Sequence, residues 1–399
     1  MSENNLDRIY EEFGANICLF PFMAGFYSIN QLNNHGISPC SMVKFNGWDI
    51  QDNSIKSTLN NNQWIDLRKN FVIGSCHTSE FCETCSLAEK NGGDSPRKLN
   101  NQYFSEHIIS NIIDHIKSVI SNDYKVDKLL SMDFMPSNYC NYECIMCFGA
   151  ASSSRSTFEI KVLGYDKIIK ENKVKIDDFY QLLETVEILN FTGGETLLQT
   201  QVHEVIDYLV EHDLAKNISV SLLTNASKYP ESLLEKFKQF KNVFYMVSID
   251  GIGEVIEYQR RGAKWSTVEE TALKLFNEFG CVFNYVLTSV NIFSFLDFVS
   301  WIEKHKFDKV FISLVYDRTK HLSVNGIPPE LKDPLLIKLK NNNFTGLYRE
   351  LVDRVIGILE RAIYDPTLLD QFIKSIRLED SVSKKKLIEV VPEWRPYFG

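Results

Sequence analysis

Residues 140–147 read CNYECIMC, which sets Cys140, Cys144 and Cys147 in a C-x3-C-x2-C array with no fourth cysteine close behind. Clustered thiolates are soft donors suited to iron–sulfur clusters or zinc. Four cysteines would complete a cubane cluster, whereas three leave one iron open to a ligand that is not protein. An open iron is suited to chemistry rather than to scaffolding. Five further cysteines, Cys18, Cys40, Cys76, Cys82 and Cys85, precede residue 90, and Cys281 stands alone.

The composition narrows what surrounds these thiols. With 399 residues, 44% of them hydrophobic and 12% aromatic, the chain can bury a full-size core and has room for one large domain and a smaller one. A net charge of -9 offers no electrostatic footprint for nucleic acid. The N-terminus, MSENNLDRIYEEFG, lacks a basic segment followed by an apolar one, and no run of eighteen apolar residues occurs. These features predict a cytoplasmic protein without a membrane span, in which nine cysteines serve as thiolate ligands rather than disulfides.

Elements that could position the array begin near residue 127. Apolar, β-rich runs at 128–134, 186–192, 217–224, 242–249, 281–289 and 309–316 alternate with helical periodicity over 156–182, 198–214, 230–240, 266–279 and 294–306. Six strands with helix-length connections predict a parallel α/β sheet or partial barrel, whose functional residues gather past the C-terminal strand ends. The cysteine array follows the first strand, Gly193, Gly194 and Glu195 follow the second, Thr224 and Asn225 close the third, and Ser248 and Asp250 close the fourth. A Gly-Gly pair admits close backbone approach, and a carboxylate directly after it can take up an ammonium group. Cys281 opens the fifth strand, away from these ends, and reads as a small buried hydrophobe. Residues 328–399 are helical by pattern, clearest in FTGLYRELVDRVIGILERAI, and Lys384, Lys385 and Lys386 read as a solvated surface.

In this order the motifs resemble those of the radical S-adenosylmethionine (SAM) superfamily across roughly 127–320. The resemblance implies that Cys140, Cys144 and Cys147 hold a [4Fe–4S] cluster whose open iron is chelated by SAM. It also implies that Gly193, Gly194 and Glu195 contact the methionine amino group, and that Ser248, Asp250 and Arg260 touch its ribose and carboxylate, with Arg261 an alternative to Arg260. Thr224 and Asn225 join this cofactor-binding set. Met146 replaces the aromatic residue common before the last cysteine, leaving Phe148 or Met146 to pack on adenine.

CLFPF at Cys18, SPC at Cys40 and EFCETCSLAEKNGGDSPR at Cys82 and Cys85 resemble the auxiliary-cluster module of twitch-domain radical SAM proteins. The likeness extends to LEDSVSKKKLIEVVPEW at 378–394. It implies a partial (β/α)6 TIM-like barrel over 127–327, preceded by a twitch-like iron–sulfur module over 1–126 and followed by a helical extension over 328–399. Cys18, Cys40, Cys82 and Cys85 then form a candidate four-thiolate set for a second cluster, with Cys76 and His77 as substitutes. A structural zinc site is the alternative for such a set, and the 140–147 array could itself hold zinc with a distant histidine.

The resemblance implies reductive cleavage of SAM to a 5′-deoxyadenosyl radical that abstracts hydrogen from a substrate C–H bond, fed by an external one-electron donor such as a flavodoxin or ferredoxin. A second cluster could accept an electron from the substrate radical, making the net reaction an oxidation or cross-link on a peptide or protein. With 1–126 occupied by the cysteine-bearing module, a peptide would be recognised at the barrel mouth or through a partner. Dehydrogenation of a small alcohol or sugar-like metabolite is the alternative substrate reading, and a non-catalytic zinc-bound interaction protein the alternative of another class. Tyr316, Asp317 and His321, after the sixth strand, are candidates to line the substrate cavity or to start a turn.

Overall fold

Each of the six β-rich runs contains a strand in the computed structural model, which describes residues 5–29, 35–41, 54–74, 82–90, 95–164, 177–315 and 317–398. The strands in chain order are β1 (Ala24–Ile29), β2 (His35–Ser38), β3 (Ser131–Met135), β4 (Glu143–Cys144), β5 (Ile188–Phe191), β6 (Ser219–Thr224), β7 (Asn242–Ser248), β8 (Arg260–Arg261), β9 (Cys281–Leu287) and β10 (Val310–Leu314). Strands β1, β2, β4 and β8 were not apparent from the periodicity, because they are short or flanked by loop-like sequence. The fold is α/β, with eight strands in a mostly parallel sheet. The chain divides into two compact units.

The first unit comprises residues 1–138, 169–222 and 230–243, and its strands follow the order β2-β1-β3-β5-β6. Strand β1, from the cysteine-bearing N-terminal segment, pairs in parallel with β3 from Ala24 opposite Ser131 to Ser28 opposite Met135. Side chains alternate between the two sheet faces. Met132 and Phe134 of β3, Leu189 and Phe191 of β5, and Val220 and Leu222 of β6 are buried on one face, where Phe134 stacks on Phe179 at 4.2 Å. The other face carries Asp133, whose carboxylate accepts a 2.7 Å hydrogen bond from Asn190. Burial pushes the Asp133 carboxyl up to about 6 against that bond.

Within this unit a helix at Asn62–Val72, capped by the Asn61 side chain, presents the fully buried Arg68. Its guanidinium donates to the carbonyls of Pro21 at 2.6 Å, Tyr124 at 2.8 Å and Leu59 at 2.8 Å, knitting three segments together. Burial lowers the Arg68 pKa to about 9.

The second unit comprises residues 139–168, 223–229 and 244–399. Here β7, β9 and β10 are adjacent and parallel, and β4 pairs antiparallel with β8. In β9 Cys281, Phe283, Tyr285 and Leu287 are buried in strict alternation, and burial pushes the Cys281 thiol up to about 12. Cys281 is thus a buried apolar filler. The helix Gly346–Arg361 buries Leu351, Val352, Val355, Ile356 and Leu359 along one stripe, as the amphipathic pattern requires. The helix Pro366–Val382 starts at an Asp365 cap with Pro366 in its first turn and buries Leu369, Phe372, Ile376 and Glu379. The stretch expected to be helical over 156–182 contains helices Ser153–Leu163 and Asp177–Leu183, with 165–176 outside the described residues. Among the described residues no helix is long and apolar enough to cross a membrane.

Replacing Arg68 with Met would strand the buried carbonyls of Pro21 and Leu59 without their donor, at a cost of about 3 kcal/mol. Thermal melting of Arg68→Met should show a clear drop in Tm, and a Tm equal to that of the parent chain would contradict this role.

Candidate functional site

The cysteine loop leaves β3 and turns back through β4, the two-residue strand that carries Cys144. In the β4–β8 ladder Cys144 lies opposite Arg260 and Glu143 opposite Arg261. Two further main-chain bonds steady the loop, Ile145 N–H to Gln259 O at 2.9 Å and Cys147 N–H to Cys144 O at 3.1 Å. Gly262, at φ +102°, sits so close that a Cβ there would meet the Asn141 carbonyl at 3.2 Å and the Tyr142 ring at 3.3 Å. Ser152 caps the following helix, Ser153–Leu163, and its hydroxyl donates to the Tyr142 carbonyl at 2.9 Å, while Ser154 donates to the Cys140 carbonyl at 2.7 Å.

The three thiols lie in a largely water-poor environment with hydrogen-bond donors and arginines nearby. Cys140 and Cys144 are buried. The Cys140 sulfur accepts the Tyr142 N–H at 3.5 Å and the Asn225 amide at 3.8 Å. The same Asn225 amide donates to Asn141 Oδ1 at 3.0 Å, which ties Asn225 to the loop. Burial pushes Cys144 far above the usual thiol range and Cys147 up to about 11. The neighbouring thiolates raise both further, against the positive charge of Arg260 at Cys144 and of Arg155 and Arg260 at Cys147.

Thiols so placed ionise readily only when a bound cation compensates them. Among the described residues no three His, Cys, Asp or Glu side chains are gathered closely enough to hold a single metal ion.

Beyond β7, Asp250 is fully buried and both carboxylate oxygens are engaged. Oδ1 accepts the Val286 N–H of β9 at 2.7 Å, and Oδ2 takes Arg260 Nε at 2.7 Å and Nη2 at 2.5 Å. Its main-chain carbonyl accepts from Gln259 at 2.7 Å and Asn291 at 3.0 Å. Arg261 turns the other way, to Glu143 at 2.7 Å and Glu379 at 2.5 Å. The two adjacent arginines are therefore distinguished: Arg260 belongs to Asp250, and Arg261 to the C-terminal helix. Ser248, at the end of β7, is buried.

In the first unit the Gly-Gly-Glu segment follows β5. Gly193 at φ +78° and Gly194 at φ +35° adopt a backbone that favours glycine, and a Cβ at Gly193 would collide with the Met135 side chain. Glu195 is buried and its Oε1 accepts the Leu197 N–H at 3.3 Å. Gln199, a residue the motif pattern did not single out, donates to the Gly193 carbonyl at 3.0 Å. Its buried Oε1 has no hydrogen-bond partner among the described residues, so an acceptor beside this segment stands ready for an N–H donor.

The same unit holds Cys18, Cys40, Cys82 and Cys85. Burial raises the Cys18 thiol first, and the charges of Cys40, Cys82 and Cys85 raise it as well, so Cys18 lies within electrostatic reach of all three. Arg97 anchors the surrounding segments, pairing with Glu89 at 2.7 Å and donating to the carbonyls of Ala15 and Ile17 at 2.8 Å each. Asn101 accepts the Leu19 N–H at 3.0 Å. Cys76 and His77 lie outside the described residues.

The remaining candidates are dispersed. Phe148 is exposed and Met146 half-buried. Thr224 accepts the Ala226 N–H at 3.1 Å. Tyr316 lies outside the described residues, Asp317 opens the turn Asp317–Leu322, and His321 Nε2 is 3.1 Å from the Ser375 hydroxyl of the C-terminal helix.

Residues 134–302 match the Radical SAM superfamily. By that match this stretch is similar to a radical SAM domain. That domain implies a [4Fe–4S] cluster and SAM, and the α/β fold with its mostly parallel sheet is consistent with a radical SAM partial barrel. An uncharacterized protein of Methanocaldococcus jannaschii is 26% identical over 234 residues, 57% of this chain and 72% of that protein. Among solved structures, native anSMEcpe with bound AdoMet is 21% identical at a TM-score of 0.41, covering 53% of this chain and 60% of that one. The chain thus spans less than two thirds of the length of that structure. Streptococcus suis SuiB bound to precursor peptide SuiA is 18% identical at a TM-score of 0.41, covering 82% of this chain and 67% of that one.

Asp250→Asn would leave Arg260 buried without its counter-charge, a loss of about 3–5 kcal/mol. Because Arg260 backs Cys144 across the ladder, chelator-induced iron loss from the reconstituted variant should quicken along with the drop in denaturation midpoint. A variant matching the parent chain in both would show that the pair does not hold the loop.

Proposed function

We propose that this protein is a radical SAM enzyme in which Cys140, Cys144 and Cys147 hold the [4Fe–4S] cluster. The observation that carries the reading is the buried three-thiol loop, with its sulfur-directed donors and arginine charges, inside the matched domain. These cysteines would hold a cluster that would supply one-electron reduction of SAM, a chemistry that breaks a carbon–sulfur bond to give methionine and a 5′-deoxyadenosyl radical able to take hydrogen from a substrate C–H bond.

The chain's own residues have binding and ordering roles. Gly193 and Gly194 let a ligand approach the main chain, with Glu195 taking the SAM ammonium group and Gln199 Oε1 supplying a further acceptor. Tyr142 and Asn225 direct N–H donors at the Cys140 sulfur and stabilise it as a thiolate. Ser248, Asp250 and Arg260 border the SAM ribose and carboxylate, with Asp250 holding Arg260 in place. Phe148, beside the last ligand, packs on adenine, and Thr224 completes the cofactor-binding set.

Cys18, Cys40, Cys82 and Cys85 form the second, auxiliary site, supported by the electrostatic proximity of Cys18 to the other three. Four thiolates would leave that cluster no open iron, which suits it to electron transfer. Residues 1–126 then act as the auxiliary module, 127–327 as the partial barrel and 328–399 as its helical extension. The enzyme works in the cytoplasm with a flavodoxin- or ferredoxin-like donor, and the net reaction is an oxidation or cross-link on a peptide or protein side chain.

Protein purified anaerobically should carry about eight irons if both sites hold cubanes, and release 5′-deoxyadenosine from SAM under a strong reductant. Cys144→Ala should abolish that release, whereas Cys82→Ala should lose about half the iron and retain cleavage. Colourless protein with zinc alone would overturn the radical reading, and equal loss of cleavage in both variants would overturn the division between the two sites.

A further inference from the structure

Glu379 lies 118 residues beyond Arg261 in sequence, yet it is only 2% exposed and both its oxygens are committed to guanidinium groups of the cysteine-loop region. Oε1 pairs with Arg155 Nη1 at 2.7 Å and Oε2 with Arg261 Nη2 at 2.5 Å. Both guanidinium groups also lie over the Phe158 ring, with centroid distances of 4.4 and 4.7 Å. From these arginines the network reaches both sides of the cysteine loop. Arg261 holds Glu143, the residue before Cys144. Arg155 lies 4.0 Å from Glu159, whose two oxygens each accept the Gly149 N–H at 3.1 Å, two residues after Cys147.

We infer that Glu379 is a positioning residue for the SAM cluster: it fixes Arg155 and Arg261 beside the cysteine loop and sets how much positive charge the cluster experiences. A carboxylate nearly sealed from solvent between two arginines interacts strongly with charge placed nearby, because little water screens it. Reduction adds one negative charge to the cluster. Uncovering the arginines by removing Glu379 favours the reduced state, whereas removing Arg155 disfavours it. The C-terminal helix Pro366–Val382 thereby participates in electron acceptance through Glu379. This inference rests on Cys140, Cys144 and Cys147 being the cluster ligands.

The test is potentiometric titration, monitored by electron paramagnetic resonance, of the reconstituted full chain carrying Glu379→Gln or Arg155→Gln, with thermal melting of each apoprotein as the folding control. Glu379→Gln should shift the cluster midpoint upward and Arg155→Gln downward, even if both lower the melting temperature. Midpoints that stay unchanged, or that move in the same direction in both variants, would overturn the proposal, since a merely structural contact predicts no opposed shift. If Glu379→Gln does not fold, Arg155→Gln decides alone, an unchanged midpoint overturning the proposal. A parent chain that binds no iron at residues 140–147 would instead overturn the underlying ligand assignment, and this inference with it.

Discussion

The buried Asp250–Arg260 pair is the interaction on which the geometry of the second unit depends. The loop carrying three thiols within eight residues buries Tyr142 and Ile145 beside Cys140 and Cys144. Its regular main-chain anchorage is the two-residue ladder between β4 and β8, and β8 is held by Arg260 gripping Asp250. Asp250 in turn accepts the Val286 N–H of β9, so the short ladder inherits the rigidity of the parallel strands. Two charges removed from water are costly unless their geometry is good. Two guanidinium contacts on Oδ2 and a main-chain donor on Oδ1 meet that condition.

Electrostatics at the cysteine loop follow from the same construction. Burial alone drives the thiols toward the neutral form, which would make poor ligands. Arg260 and Arg155 oppose that tendency from the ladder and from the helix that follows the loop. Glu379 and Glu143 hold Arg261 on the opposite side of β8, and Glu379 also holds Arg155. The loop therefore sits among several fixed charges of both signs, an arrangement that can stabilise bound thiolates and adjust the potential of whatever they hold.

Much of this was legible in the residues. The alternation of β-rich and helical runs predicted six strands that the mostly parallel sheet contains, and thiol spacing singled out the loop that follows β3. The choice between Arg260 and Arg261 remained open because adjacent residues are equivalent in a linear reading. In an extended segment they point to opposite sides, and that alternation sends one to Asp250 and the other to Glu379. Strands β4 and β8, at two residues each, are too short for periodicity to reveal. Arg155, Gln199 and Glu379 were overlooked for another reason. Their significance lies in partners supplied by tertiary folding, and a glutamate in an amphipathic C-terminal helix carries no local sign that it will be buried between arginines.

The central claim is that the three thiols leave an iron free for SAM. The most direct measurement is the electron paramagnetic resonance spectrum of the reduced, reconstituted Cys82→Ala chain, in which the second site is disabled, recorded before and after addition of SAM. A [4Fe–4S] signal whose g-values change when SAM binds is the predicted result, and an iron signal indifferent to SAM would contradict it.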